Sequence, residues 1–324
     1  MKGRGSILTK YHGNPILYPR RGSIWESRQV FNAGAVYLDD KIHLIYRAIG
    51  EDYISRFGYA LSTDGFNISE RSINPIYSRR VSSLSKIPSS SGGGFGGCED
   101  PRLVYIADEK RIYMTYTAYG VDHLAVGMTR IHINDFLKKR WNWDREKIIS
   151  PWGEVHKNFT LFPERINGKY AILHSITPRI SIKYLSSLEF KDGEYINSKY
   201  ENNSVLMTWE YVIKGVGAPP IKTREGWILF HHGIDKREPW KYKIGVMLLN
   251  LSNPEEVLYK SNGPILEPTE KYEYNGFKPS VVYLCGAIIR HKMLLLYYGA
   301  ADTYLCIAYT WLDEFLNKLM DGRI

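Results

Sequence analysis

Apolar runs of strand length recur along this chain, each interrupted by a short polar turn and resumed in a second apolar run rich in tyrosine. Five copies are visible: Gly34–Tyr46, Pro101–Tyr116, Leu161–Leu173, Pro219–Phe230 and Pro279–Tyr297. Each turn carries residues that favour hairpins, namely Asp39-Asp40, Asp108-Glu109-Lys110, Asn167-Gly168, Arg224-Glu225-Gly226 and Arg290-His291-Lys292. A third apolar stretch follows every hairpin, at Phe57–Ser62, Leu124–Met128, Ile180–Tyr184, Ile244–Leu249 and Tyr304–Tyr309. A fourth, outer strand is suggested at Asn14–Leu17, Asn74–Tyr77 and Gly263–Leu266. Second strands end at Tyr46, Tyr116, Leu173, Phe230 and Tyr297, so the repeat recurs every 57 to 70 residues. Repetition of about four strands per unit predicts an all-β chain, a five-bladed β-propeller that protects its sheet edges by radial packing.

Two segments fall outside the repeat. Residues 81–97, rich in Ser and Gly, read as a long loop over the channel mouth, and no Gly-Lys-Ser/Thr follows to make it a phosphate loop. Trp311–Met320 has helical spacing and predicts a short C-terminal helix. No composition break divides the chain, so residues 1–324 are expected to form one catalytic domain.

Composition narrows the class. Three widely spaced cysteines, Cys98, Cys285 and Cys306, suggest neither a disulfide framework nor zinc and point to a reducing cytoplasm. No stretch approaches the length of a membrane span, and Met1–Lys10 lacks the apolar centre of a secretion signal. The net charge of +9 is scattered among acids without a nucleic-acid motif, so neither membrane nor nucleic acid is an expected partner. The sequence leaves room for a homo-oligomer. Acids and histidines never cluster at ligand spacing, and no metal is expected.

The densest chemistry lies at Gly97-Cys98-Glu99-Asp100-Pro101-Arg102, where a glycine-rich loop enters a strand. A strand fixes such groups while the loop opens them to substrate. The alternative is a structural turn, with Asp100 capping backbone amides and Arg102 paired to Glu99. The repeat supplies a search rule, because equivalent strand ends in a propeller surround one central pocket. It collects Asn32 and Arg47, Asp100 and Arg102, Lys157, Asn158 and His174, then His232 and Asp302. Arg56, Glu99 and Tyr119 stand near these ends and join them as candidate ligand contacts. No Gly-x-Ser-x-Gly elbow, His-Glu-x-x-His or dinucleotide fingerprint occurs. Carboxylates with arginines and aromatics suit glycosidic bond cleavage.

The motif Gly97–Arg102, followed by Met114–Tyr119, closely resembles the signature of glycoside hydrolase family 130, the β-mannoside phosphorylases and β-mannosidases. Further matches run through Asn32–Ala35, Ile45–Ala48, Leu161–Tyr170, Gly217–Thr223, Pro264–Pro268 and Tyr297–Asp302. The resemblance implies an inverting single displacement on manno-oligosaccharides, with Asp100 as general acid acting through a sugar hydroxyl. It implies no cofactor, with inorganic phosphate as co-substrate in a phosphorylase, held by residues at the positions of Lys157, Asn158 and His174. Two cations of the phosphorylase pattern are replaced here, by Ser175 and Ile213. Losing them weakens phosphate binding, at roughly 1.5 to 3 kcal/mol for each charged hydrogen bond, and favours water as nucleophile. Hydrolysis then requires a base, for which Glu273 and Glu210 are candidates; Lys214 or Arg179 would instead restore phosphorolysis. A carbohydrate-binding propeller without catalysis is the reading from another class.

Overall fold

A computed structural model describes residues 7–79, 92–120, 124–151, 153–198 and 209–324. The chain is nearly all β, with a short C-terminal helix. Most of the expected loop at 81–97 lies outside the described residues, which resume at Gly92.

The strands form four hydrogen-bonded sheets; the eight-stranded one holds two antiparallel units joined by a parallel pairing of Ile54 with Gly96 and Ser55 with Gly97, so antiparallel units follow one another along the chain. In the first, β2 (Gln29–Leu38), β3 (Lys41–Ile49) and β4 (Ile54–Ser62) are edged by β5 (Glu70–Arg71), after an N-terminal β1 (Thr9–Lys10) that serves the fifth unit. The second contains β6 (Gly96–Ile106), β7 (Arg111–Tyr119), β8 (Leu124–His132) and β9 (Lys147–Ile148), with helix α1 (Ile133–Leu137) after β8. The third comprises β10 (Thr160–Leu161), β11 (Tyr170–Ser175) and β12 (Ser181–Leu185). In the fourth, β13 (Val212–Val216) and β14 (Ile221–Lys222) both pair with β15 (Trp227–Ile234), followed by β16 (Lys243–Leu249) and β17 (Val257–Lys260). Helix α2 (Lys271–Tyr274) leads to the fifth, β18 (Val282–Arg290), β19 (Met293–Ala300) and β20 (Tyr304–Trp311), where β1 pairs with β20. Helix α3 (Leu312–Met320) ends the chain. Among the described residues no helix is long and apolar enough to cross a membrane.

Burial explains why the units assemble. The apolar side chains of each form a cluster with those of the next: Ile45 and Phe57 with Leu103 and Met114, then Val104 and Tyr113 with Leu161 and Ile172. Leu173 and Ile182 meet Trp227 and Leu229, and Phe230 and Val246 meet Leu284 and Leu296. The remaining cluster joins Leu295 and Tyr297 of the fifth unit to Val30 and Leu44 of the first. Each sheet therefore buries both faces, which accounts for the continuous apolar runs in the sequence.

The outer strands differ from expectation. Asn14–Leu17, Asn74–Tyr77 and Gly263–Leu266 make single bridges, at Leu17 to Leu305, Tyr77 to Phe57 and Leu266 to Ile244. Each contains a proline, which lacks the amide that a ladder needs. Edges are formed instead by β1, β5, β9 and β17.

First strands approach one another closely at their bulged ends. A Cβ on Gly34 would lie 2.6 Å from the Pro101 carbonyl oxygen of the next unit, and one on Gly286 would lie 2.6 Å from that of Ala33. Only glycine permits this spacing. The register shifts in β2 between Phe31 and Gly34, in β6 between Glu99 and Arg102, in β13 between Ile213 and Gly215, and in β18 between Leu284 and Gly286. A bulge redirects a side chain that a regular strand would bury in the sheet.

Candidate active site

The bulges surround a cavity of about 300 Å³, lined by Asn32, Gly92, Asp100, Lys157, Asn158, Lys214, Tyr242, Lys278, Val281, Tyr283 and Asp302. Asn32, Asp100, Asn158 and Asp302 have φ of 48°, 55°, 66° and 47°. Asn and Asp tolerate this left-handed backbone better than other side-chain-bearing residues. The strained conformation aims their polar ends inward, where a regular extended strand would alternate them between faces.

Asp100 is buried, and its Oδ1 accepts hydrogen bonds from Asn32 Nδ2 at 2.8 Å and Arg47 Nη1 at 3.2 Å. Oδ2 is thereby the oxygen left to face a ligand. Arg47, fully buried, also donates from Nε to Ser55 Oγ at 2.8 Å and from Nη2 to Glu99 Oε1 at 2.8 Å and the Gly93 carbonyl at 3.0 Å. Glu99 is therefore paired with Arg47 behind the cavity wall, and the turn with a Glu99–Arg102 pair does not form. Arg102 crosses between units: Nε donates to the Gly217 carbonyl at 2.7 Å, and Nη2 to Val216 O at 2.9 Å and Asn158 Oδ1 at 3.0 Å. It fixes Asn158, which also accepts from Tyr283 Oη at 2.9 Å and donates from Nδ2 to the Lys214 carbonyl at 3.0 Å. Both arginines act through other residues, since neither lines the cavity.

Charge is divided across the site. Asp100 and Asp302 stand with Arg47, while Lys157, Lys214 and Lys278 line the remaining wall. Burial pushes the Asp302 carboxyl up to about 6, opposed by Lys278 and Arg47 and assisted by the charge of Asp100. Burial lowers Lys157, although Glu99 and Asp100 favour its charged form. Lys214 is lowered by burial and then by repulsion from Lys157 and Lys278. Three ammonium groups held within range of one another, in a cavity, constitute a place for an anion.

His174 lines a narrow cleft of about 30 Å³ that adjoins the cavity through Lys157, Asn158 and Lys214. Burial holds it neutral, down to about 4. Other expected contacts lie elsewhere. His232 is fully buried, its ring 3.8 Å from that of Tyr283, and its Nε2 accepts the Leu284 amide at 2.9 Å, so it supports the wall from behind. Arg56 pairs with Asp52, at 2.6 Å from Nη2 to Oδ2, and Tyr119 is buried where β7 meets β6; neither lines the cavity.

Both candidate bases lie outside the lining of this cavity. Glu273 is fully buried in α2, where Oε2 accepts from Lys10 Nζ at 2.6 Å, Thr269 N at 2.6 Å and Glu270 N at 2.8 Å, and Oε1 from Tyr298 Oη at 2.9 Å. Its carboxylate caps a helix and anchors β1. Glu210 is buried between His231 and Lys260, bonded closely to both, and its carboxyl is lowered on balance by these two partners despite burial. Neither lines the cavity.

Lys278, Tyr242 and Tyr283 were not singled out in the sequence. Lys278 precedes the fifth unit as Lys157 precedes the third, so the repeat rule applied to that loop finds it. Tyr283 is passed over because the rule sought polar residues and an aromatic at a strand start reads as core. Arg179, considered as a replacement cation, is exposed outside the cavity. Lys214 enters because the β13 bulge follows Ile213 directly and turns the next side chain into the cavity.

Residues 8–321 match the sequence profile of glycoside hydrolase family 130, described as beta-1,4-mannooligosaccharide phosphorylase. A 1,2-beta-oligomannan phosphorylase of Thermoanaerobacter sp. (strain X514) is 35% identical over 316 residues, covering 93% of this chain and 96% of that protein. A beta-1,2-mannobiose phosphorylase of the same strain is 36% identical over 315 residues, with the same coverage. Among solved structures, the Listeria innocua beta-1,2-mannobiose phosphorylase in complex with beta-1,2-mannobiose superposes with a TM-score of 0.74 over 96% of this chain and 99% of the other; at 23% identity this likeness speaks for the fold alone. With a profile match over residues 8–321 and two relatives above 30% identity over 93% of its length, the chain belongs to glycoside hydrolase family 130.

Proposed function

We propose that the protein is a five-bladed β-propeller that phosphorolyses β-1,2-linked manno-oligosaccharides. The carrying observation is the set of three lysines, Lys157, Lys214 and Lys278, lining one cavity with Asp100. An inorganic phosphate dianion there replaces the water it displaces with charged donors, which a buried anion requires. Among the described residues the cavity has no glutamate, and Glu273 and Glu210 are engaged elsewhere, which removes support for hydrolysis through either. Relatives above 30% identity are phosphorylases of β-1,2-linked mannosides, which favours that linkage.

The reaction is a single displacement. A phosphate oxygen attacks the anomeric carbon from the lysine side as the bond from that carbon to the leaving oxygen breaks. Asp100 supplies the proton that the leaving sugar takes, through a sugar hydroxyl as family membership suggests. Inversion at a β-linked centre yields α-mannose 1-phosphate and a shortened mannoside. Asn32 and Arg47 hold Asp100 Oδ1, so the proton travels from Oδ2. Asp302 faces the mannosyl ring as a hydrogen-bond partner, and His174 bounds the anion's end of the cavity.

The test is product analysis with β-1,2- and β-1,4-linked manno-oligosaccharides, with and without inorganic phosphate. Phosphate-dependent mannose 1-phosphate is the expected product. Free mannose formed at the same rate without phosphate would overturn the proposal in favour of hydrolysis.

A further inference from the structure

At the mannosyl end of the cavity, two stretches of left-handed backbone meet. Gly92, Gly93 and Gly94 have φ of 86°, 85° and 87°, and Ala301 and Asp302 have φ of 50° and 47°. Glycine adopts this backbone freely, whereas Ala301 and Asp302 hold it only because surrounding contacts enforce it. One side chain ties the two together. Gln29, the first residue of β2 and 3% exposed, donates from Nε2 to the Gly92 carbonyl at 3.0 Å and to the Asp302 carbonyl at 2.6 Å. Both amide hydrogens of Gln29 are thereby used on backbone that lines the cavity. The following residue continues the tie, since Val30 N donates to Thr303 O at 3.0 Å.

The opening held in this way is small. A Cβ on Gly92 would stand 3.1 Å from Arg47 Nη1 and 3.4 Å from Asp302 Oδ2. The missing side chain keeps the gap beside the Asp302 carboxyl open to a sugar hydroxyl. Arg47 limits the gap from the other side, through its bond to the Gly93 carbonyl at 3.0 Å.

We propose that Gln29 is a positioning residue that clamps the Gly92 turn to the Asp302 turn and so sets the width of the mannosyl hydroxyl site. It touches no substrate itself. Its effect falls first on the sugar, because Lys157 and Lys214 belong to other units and Lys278 meets the clamped turn through its backbone amide, which donates to the Ala301 carbonyl at 3.0 Å. This inference rests on the mannoside phosphorylase reading, and the experiment separates the two.

Gln29→Leu leaves a buried side chain one atom shorter and removes both donors, leaving two carbonyls unsatisfied. The mannoside KM is expected to rise about ten- to a hundred-fold, while the phosphate KM stays within about two-fold and Gln29→Asn recovers part of the loss. Gly92→Ala reaches the same gap without altering Gln29 and should raise the mannoside KM likewise; it decides the matter should Gln29→Leu fail to fold. An unchanged mannoside KM in a folded Gln29→Leu, or equal rises in both KM values, overturns the positioning role and indicates a merely structural amide. If the unaltered protein forms no mannose 1-phosphate from any mannoside, the reading beneath the proposal fails instead, and the clamp falls with it.

Discussion

Replacing Asp302 by Asn should stabilise the ligand-free protein at neutral pH, although it removes a group from the site. Asp302 is 4% exposed, and burial outweighs the attraction of Lys278 and Arg47, so the carboxyl rises from its ordinary 3.8 to about 6. A carboxyl with a raised folded pKa gives stability that is fully present below pH 3.8 and is lost as pH climbs through about 6. The full displacement is worth about 3 kcal/mol at pH 7.5, and Asn, which never ionises, escapes that loss. With roughly 2.1 cal/mol/K of unfolding entropy per residue, the difference amounts to about 4 °C in melting temperature. His174 titrates in an overlapping window with opposite sign, being lowered from 6.5 to about 4, but it is common to both proteins and cancels in the comparison. The assay is paired thermal melts of wild type and Asp302→Asn from pH 4 to 8 without sugar or phosphate. The variant should gain on wild type steadily above pH 4. A difference that stays flat across this range, or a variant that loses ground at pH 7.5, would refute the reasoning and show that the neighbouring cations govern Asp302.

Asp100→Asn removes the transferable proton while keeping an acceptor for Asn32 and Arg47; phosphorolysis should fall roughly 10²- to 10⁴-fold, measured as initial mannose 1-phosphate release. Lys278→Met removes one of three cations from the cavity and should raise the phosphate KM about ten- to a hundred-fold at roughly 1.5 to 3 kcal/mol per charged contact, with the mannoside KM little changed. Glu273→Gln should leave kcat at 25 °C within about two-fold, because Glu273 is outside the cavity, yet lower stability by roughly 1 to 3 kcal/mol through loss of its bonds to Lys10 and the α2 amides. A large fall in kcat with an unchanged melting temperature would return Glu273 to the chemistry.

Strand pattern was legible because it follows from burial. Every unit packs between two neighbours, so runs such as Leu44–Tyr46 and Leu294–Tyr298 are apolar throughout and announce themselves. Outer strands were harder: Val257–Lys260 is exposed along its length and carries no burial signal, whereas proline-containing segments with better apolar character make only bridges. The acid's neighbourhood was legible from Gly97–Arg102, but which acid pairs with which base was not. Glu99 is only three residues from Arg102 in sequence, yet Arg47 reaches Glu99 from the neighbouring unit and Arg102 turns to the Gly217 and Val216 carbonyls. Glu273 illustrates the converse limit. A glutamate beside tyrosines and a glycine looks like a pocket residue, yet the short helix at Lys271–Tyr274 turns it inward as a cap.

The bulges account for how a sheet with both faces buried exposes any charge at all. A regular strand offers its neighbours two apolar faces, and a polar residue in it would face one of the clusters between units. Shifting register at Phe31–Gly34, Glu99–Arg102, Ile213–Gly215 and Leu284–Gly286 frees one or two residues per unit from that alternation, at the place where the first strands draw together. The residues so released, or set in equivalent left-handed turns, differ in charge by unit: Asn32 and Asp100 in the first two, Asn158 and Lys214 in the third and fourth, Asp302 in the fifth. On the proposed reading this order matters, since inversion requires nucleophile and leaving group on opposite faces of one sugar ring. Proton donor and anion site must then come from different units, and a single loop carrying both would bring them to the same face. Exchanging Ile213 and Lys214 tests that dependence, because it keeps composition while moving the ammonium out of the bulge: phosphate KM should rise as in Lys278→Met, and an unchanged KM would mean that the bulge does not direct the charge.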